Sequence, residues 1–231
     1  LYCYRYTYAG WAYSQGTGLV GCLGILYEGE ESPALSPAVR NLSLSGYVYG
    51  RRMVGGIVGV TGGGSNAIEG ASVNETLLEN LANHAWVYST DSKGVGGIVA
   101  SAYVNSGSII NCYNDGKITT TYSAPAGGIV GANEHMDIFC CYSRGTIDTG
   151  KNHYGRGIGG TGNSPGNFTV DSCYYLKGSG DDTTYPGYYT YNLPSSVSIH
   201  VTEMTDAAMK DGTLLSALNV NGLAYVTGDE G

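Results

Sequence analysis

A five-residue block recurs along this chain: Gly55-Gly56-Ile57-Val58-Gly59, Gly96-Gly97-Ile98-Val99-Ala100 and Gly127-Gly128-Ile129-Val130-Gly131. Gly18-Leu19-Val20-Gly21 and Gly157-Ile158-Gly159-Gly160 are weaker copies. The aliphatic residues that mark the blocks, Leu19, Ile57, Ile98, Ile129 and Ile158, are 38, 41, 31 and 29 residues apart. The last two intervals are near constant, so the first two read as the same unit carrying insertions. Self-similarity at such a period indicates a small unit stacked on copies of itself. It also disposes of a nucleotide loop: the block occurs three times, lacks the Lys-Ser/Thr of a phosphate loop, and opens no GxGxxG helix.

A second element follows at a matched offset. Ile110-Asn-Cys112-Tyr113-Asn-Asp-Gly116-Lys-Ile118 aligns with Phe139-Cys-Cys141-Tyr142-Ser-Arg-Gly145-Thr-Ile147, and Val170-Asp-Ser-Cys173-Tyr174 opens a third copy. A unit of this length, made of short β-rich runs and Gly-rich turns, cannot bury its own apolar face. The expected fold is all-β, a β-solenoid of about five coils stacked about 4.8 Å apart, with a short C-terminal helical cap. Ile57, Ile98 and Ile129 should form one interior ladder, and Cys112, Cys141 and Cys173 another. Side chains alternate along a strand, so Tyr113, Tyr142 and Tyr174 should face outward. The glycines are expected where neighbouring turns crowd or need positive φ.

The alternation of GGIVG with NCYNDGKI resembles the GLUG motif of large bacterial surface proteins, among them adhesins and immunoglobulin A metallopeptidases. The resemblance runs from about Gly18 to Leu176 and is clearest from Val95 onward, while Thr202 to Asn219 resembles the helical segment that often closes such arrays. It implies a secreted or cell-surface setting and a structural or adhesive role, and it transfers no catalytic residue.

Composition agrees with that setting. Only 13% of the 231 residues are charged, 38 are Gly and 21 are Tyr. A net charge of −8 lacks the basic footprint that nucleic acid or an anionic membrane requires. No apolar run is long enough for membrane insertion. The chain opens on Leu1, so a signal peptide or upstream domain is expected to be missing. Asn41, Asn74 and Asn167 head glycosylation sequons.

Three regions are expected: residues 1–176 as the repeat domain with an N-terminal strand over Tyr2 to Tyr8, 177–202 as a Gly/Pro/Tyr-rich surface loop, and 203–231 as helical cap and tail. Thr205 reads as an N-cap and Asp211-Gly212 as a break, with the helix either capping the stack or docking a following domain. Asn74 to Asn83 reads as a helical excursion with Leu77, Leu78 and Leu81 inward, and Glu28 to Pro37 as an acidic loop.

Glu134-His135-Met136-Asp137 matches no metal-binding spacing and reads as a solvated turn. Asp181-Asp182 and Asp229-Glu230 are the pairs a Ca²⁺ ion would use; no other cofactor or metal is expected. Six cysteines fit disulfides outside the cell, with Cys3–Cys22 the candidate bridge, whereas the Cys112 column reads as buried thiols. No CxxC occurs. Tyr113, Tyr142, Tyr174, Tyr188 and Tyr189 are the candidate contacts for a glycan or surface protein, unless the 177–196 loop simply packs over them. The expected function is therefore non-catalytic: adhesion or a rigid spacer. A self-assembling extracellular filament, in which copies of the chain bind one another, and a glycan-processing β-helix enzyme are the alternatives.

Overall fold

A computed structural model describes residues 16–23, 37–61, 75–90, 94–103, 107–121, 124–150, 154–162, 165–190, 193–219 and 225. The Tyr2–Tyr8 strand, the acidic loop at 28–36, the Cys3 end of the candidate bridge, Asn74, and Asp229-Glu230 lie outside these residues.

The chain is nearly all β, and every strand pairing among the described residues is parallel. Strand β1 spans Val20–Leu23. The next passage supplies β2 (Ala38–Leu44), β3 (Tyr47–Gly50), β4 (Val54–Gly55) and β5 (Val58–Thr61). Then come β6 (Thr76–Asn83), β7 (Trp86–Ser89), β8 (Val95–Gly96) and β9 (Val99–Ala102). The third adds β10 (Gly107–Ile110), β11 (Tyr113–Asn114), β12 (Ile118–Thr120), β13 (Ala126–Gly127) and β14 (Val130–Asn133). The fourth adds β15 (Asp137–Phe139), β16 (Tyr142–Ser143), β17 (Ile147–Asp148), β18 (Gly155–Arg156) and β19 (Gly159–Thr161). After these run β20 (Thr169–Leu176), β21 (Ser198–Met204), α1 (Asp206–Lys210) and α2 (Thr213–Leu218).

Equivalent strands collect into four ladders: β1-β5-β9-β14-β19, β4-β8-β13-β18, β3-β7-β12-β17, and a long ladder from β2 through β6, β10/β11, β15/β16 and β20 to β21. Two apolar clusters fill the interior. Ile57, Ile98, Ile129 and Ile158 face Leu78, Ile109, Ile138 and Val170 in the larger one, with Cys112, Cys141 and Cys173 at its side. Val48, Val87, Ile118 and Ile147 meet Val54, Val95 and Ala126 in the smaller.

Between the clusters runs a buried polar column in register, Asn83, Asn114 and Ser143. Asn83 Nδ2 donates to Asn114 Oδ1 at 2.7 Å and to the Ala85 carbonyl at 3.2 Å, and Asn114 Nδ2 donates to the Gly116 carbonyl at 3.1 Å. The second glycine of each block makes room for this column, and the others make room for neighbouring backbone. A β-carbon on Gly97 would overlap both the Gly128 carbonyl and the Asn114 carboxamide, and one on Gly128 would overlap Gly157 and Ser143. Crowding, not positive φ, is thus what the GGIVG positions require, whereas Gly46 and Gly178, in the second repeated element, have φ of 110° and 73°.

The left-handed backbone sits elsewhere. Asn41, Asn80, Asn111, Cys140 and Ser172 all have φ between 51° and 55° at one bend of the long ladder. Asn tolerates this region better than other side chains, and Asn80 Nδ2 also donates to Asn41 Oδ1 at 2.9 Å. The extra residue at the bend corrects the expectation of a helix at Asn74–Asn83. Thr76–Asn83 is a strand, and Leu78 and Leu81 face the core three residues apart because Asn80 is inserted between them. That spacing imitates a helical face.

A second correction concerns residues 177–202. The Ser179 carbonyl accepts from Ile147 N, Asp182 N donates to the Gly155 carbonyl, and the Gly187 carbonyl accepts from Ile158 N at 2.9 Å. Tyr188 bridges Gly159, and β21 pairs along β20. The segment is therefore one more passage through the ladders, largely without regular strands. It satisfies backbone groups of the preceding passage that burial would otherwise orphan. Stacking does not stop at Leu176 but continues to Met204.

Candidate partner-binding surface

The tyrosine column is built as the alternation predicts, then largely covered. Tyr113, Tyr142 and Tyr174 are in register, and the Tyr113 and Tyr142 rings stack at 4.9 Å and 2°. Over them lies the C-terminal helix pair. Thr205 Oγ1 accepts from Ala208 N as the N-cap of α1, and Gly212, at φ 90°, separates the two helices. Met209, Leu214 and Leu218 pack on Cys140, Tyr142, Tyr174 and Tyr225, and the Tyr225 hydroxyl donates to the Cys140 carbonyl at 2.8 Å. The helices therefore cover a flank of the stack, not its end, and it is they, not the 177–196 loop, that shield the column. Burial pushes the hydroxyls of Tyr142 and Tyr225 well above the ordinary tyrosine range.

Two further candidate contacts are absorbed by packing. Tyr188 is buried in the main core, and the Arg156 guanidinium lies 4.6 Å over the Tyr189 ring. Arg156 pairs with Asp182 at 2.9 Å, with side-chain exposures of only 5% and 8%. Tyr113 and Tyr174 stay part-exposed. The Tyr113 hydroxyl lies 3.3 Å from His84 Nε2, and His84 Nδ1 lies 2.6 Å from Asp115 Oδ1. Burial, with a smaller contribution from Asp115, raises the Tyr113 hydroxyl, which makes it a poor nucleophile.

The Glu134–Asp137 segment separates into different tasks. Met136 is buried and accepts from Thr61 Oγ1, Asp137 Oδ1 accepts from Thr169 N at 2.7 Å, and Glu134 and His135 lie against Gly162 and Gly166. Asp181 accepts from Thr149 N, Thr149 Oγ1 and Gly155 N, while Asp182 holds Arg156 and the Thr184 and Tyr185 amides. Asp181 and Asp182 thus tie the 177–190 segment to the preceding passage. Among the described residues no three His, Cys, Asp or Glu side chains cluster as metal ligands.

Cys112, Cys141 and Cys173 are buried free thiols, and Cys140 is a half-buried one beneath the helix pair. Burial raises Cys141 and Cys173 well above the ordinary thiol range, so neither carries the thiolate that redox chemistry needs. Of the sequons, Asn41 is tied to Asn80, and Asn167 accepts from Ser196 Oγ at 2.6 Å; both are exposed.

A further aromatic surface, outside the repeated motifs, stands on the β3-β7-β12 face. Tyr47, Tyr49 and Trp86 are 51%, 53% and 42% exposed. Tyr47 pairs with Trp86 and Tyr49 with Tyr88. The Tyr47 and Tyr49 rings lie within 13° of parallel at 6.4 Å, and Tyr49 and Tyr88 within 11° at 5.5 Å. Trp86 meets Tyr47 edge-on at 5.3 Å and is held by its Nε1 donating to Thr119 Oγ1 at 3.0 Å, with Lys117 Nζ 5.2 Å from its ring. The signal was present as Tyr47-Val-Tyr49 and Trp86-Val-Tyr88, two alternating triplets one unit apart.

No helix among the described residues is long and apolar enough to cross a membrane. No protein-family model and no curated protein sequence matches the chain. Among solved structures, the chain is similar to a candidate immunoglobulin A1 protease from Bacteroides ovatus, with a TM-score of 0.56 and 21% identity. The match covers 90% of this chain and spans 60% of the length of that one. At this identity the likeness establishes a related, β-rich fold, and nothing of the neighbour's chemistry passes to these residues.

Proposed function

We propose that the chain is a β-solenoid repeat domain of the GLUG type that works outside the cell in surface adhesion, without catalysis of its own. The observation that carries this reading is the exposed aromatic face Tyr47, Tyr49, Trp86 and Tyr88, displayed on a ladder whose inward residues are locked in the core. Aromatic side chains on a rigid support are the residues that anchor partners at low ordering cost. Low charge and the exposed sequon residues Asn41 and Asn167 support an extracellular setting. A rigid spacer is the same molecule with that face unused.

The filament alternative has less support, since β21, the last strand of the long ladder among the described residues, exposes His200, Thr202 and Glu203. Charged residues on an edge strand discourage further pairing. The enzyme alternative has one observation behind it, the Tyr113–His84–Asp115 chain, and the raised Tyr113 hydroxyl argues against it.

Beads coated with the purified chain should adhere to host-type cell surfaces. A Tyr49→Ala/Trp86→Ala pair should abolish adhesion with the unfolding temperature unchanged. Adhesion untouched by the pair, or proteolysis of offered substrates that disappears with His84→Ala, overturns the reading.

A further inference from the structure

We infer that the β3-β7-β12 face is a saccharide-binding surface, and that its ligand is a neutral polysaccharide rather than a protein or a polyanion. The inference rests on the adhesive reading above and names the chemistry of its partner.

The outward residues on this face are Tyr47, Tyr49, Trp86, Tyr88, Lys117 and Thr119. Each is an aromatic ring, a hydroxyl or an amine, and none is aliphatic. A protein interface sets its Tyr and Trp anchors among Arg, Met and other groups closed off from water at its centre. A pyranose ring asks for something else: a flat π surface against its C–H face, and donors and acceptors around its hydroxyl edge. The exposed rings of Tyr47, Tyr49 and Trp86 supply the aromatic contact, and the tyrosine hydroxyls, Thr119 Oγ1 and Lys117 Nζ supply the polar groups.

The surface is also pre-set. Trp86 is held edge-on to both Tyr47 and Tyr88, bonded to Thr119, and flanked by Lys117. Its backbone lies in a ladder whose alternate residues Val48, Val87 and Ile118 are buried. Little conformational freedom is left to lose when a sugar arrives. Charge decides between glycan classes. The chain carries −8 overall. A lone lysine on the face does not offset that field for a uronate- or sulfate-rich polymer, whereas an uncharged chain is indifferent to it.

The test is affinity electrophoresis of the full chain through gels carrying mannan, mixed-linkage β-glucan, arabinan or galactan, with heparin as the polyanion. Retardation by at least one neutral polymer is expected. Tyr49→Ala and Trp86→Ala should each weaken it about tenfold, the loss of one good anchor. Tyr49→Phe, which keeps the ring, should weaken it less, and Tyr113→Ala should leave it unchanged. Retardation by heparin alone, by no neutral polymer, or equally in the Trp86→Ala protein overturns the inference. Bead adhesion that survives periodate oxidation of cell-surface sugars overturns the saccharide assignment and leaves adhesion standing. Retardation by a neutral polymer without bead adhesion supports the assignment and removes the adhesive role.

Discussion

Asn114 accepts a 2.7 Å hydrogen bond from Asn83, one unit away in the stack and equally buried. The pair joins two apolar clusters through a polar seam that has no access to water. Replacing Asn114 with Ala should lower unfolding free energy by about 1–3 kcal/mol, because the Asn83 amide is left short of an acceptor. The Asn83→Ala/Asn114→Ala pair should cost less than the sum of its parts, since the second change removes the orphan. Urea denaturation of the four proteins measures the coupling.

The glycine opposite that seam should be less forgiving. Gly97→Ala places a methyl on the Gly128 carbonyl and the Asn114 carboxamide at once, so the expected loss is about 3 kcal/mol, the upper range for overpacking. Gly150→Asn is the control: its φ of 64° suits Asn and its surroundings are open, so its midpoint should hardly move.

The left-handed bend predicts a gain. Ser172 stands where Asn41, Asn80 and Asn111 stand in earlier units. Ser172→Asn should therefore raise stability by roughly 0.5 kcal/mol, and Asn111→Val should lower it by about 1–2 kcal/mol, the left-handed penalty for a residue with a crowded β-carbon. Thermal melts of both variants check the sign.

Alkali should release the helix pair. The hydroxyls of Tyr142 and Tyr225 are raised in the folded chain from an ordinary value of 10.0, chiefly by burial. A raised acid favours its neutral form, so this stability is complete below the unfolded tyrosine range and is lost as pH climbs above it. Tyrosinate absorbance should show a delayed group of tyrosines that ionise together with the loss of α1 and α2. Tyr225→Phe should shrink that group. Simple independent ionisation of every tyrosine near 10 would refute the docked arrangement.

The sequence carried the inward half of this molecule better than the outward half. Ile57, Ile98 and Ile129 repeat because each occupies the same slot in a shared core, and Cys112, Cys141 and Cys173 repeat for the same reason. Thr76–Asn83 was obscured because Asn80 inserts a residue and shifts an alternating pattern to a spacing of three. Residues 177–190 were obscured because their backbone, not their side chains, does the pairing. The aromatic face was harder still: the column that begins Tyr47–Trp86 becomes Lys117 in the next unit, since nothing in the core constrains an outward position.

One further property follows from how the long ladder begins and ends. Strand β2 turns a corner at Asn41, and every equivalent strand through β20 turns with it. In β21, Ile199 matches Val170 and Val201 matches Cys173, so Ser172 has no counterpart and the corner is gone. Among the described residues the ladder is therefore directional: its strands turn one corner together from β2 to β20, and β21 lies straight across the last of them. A backbone that reads differently from its two sides gives neighbouring passages unequal neighbours even where their sequences repeat.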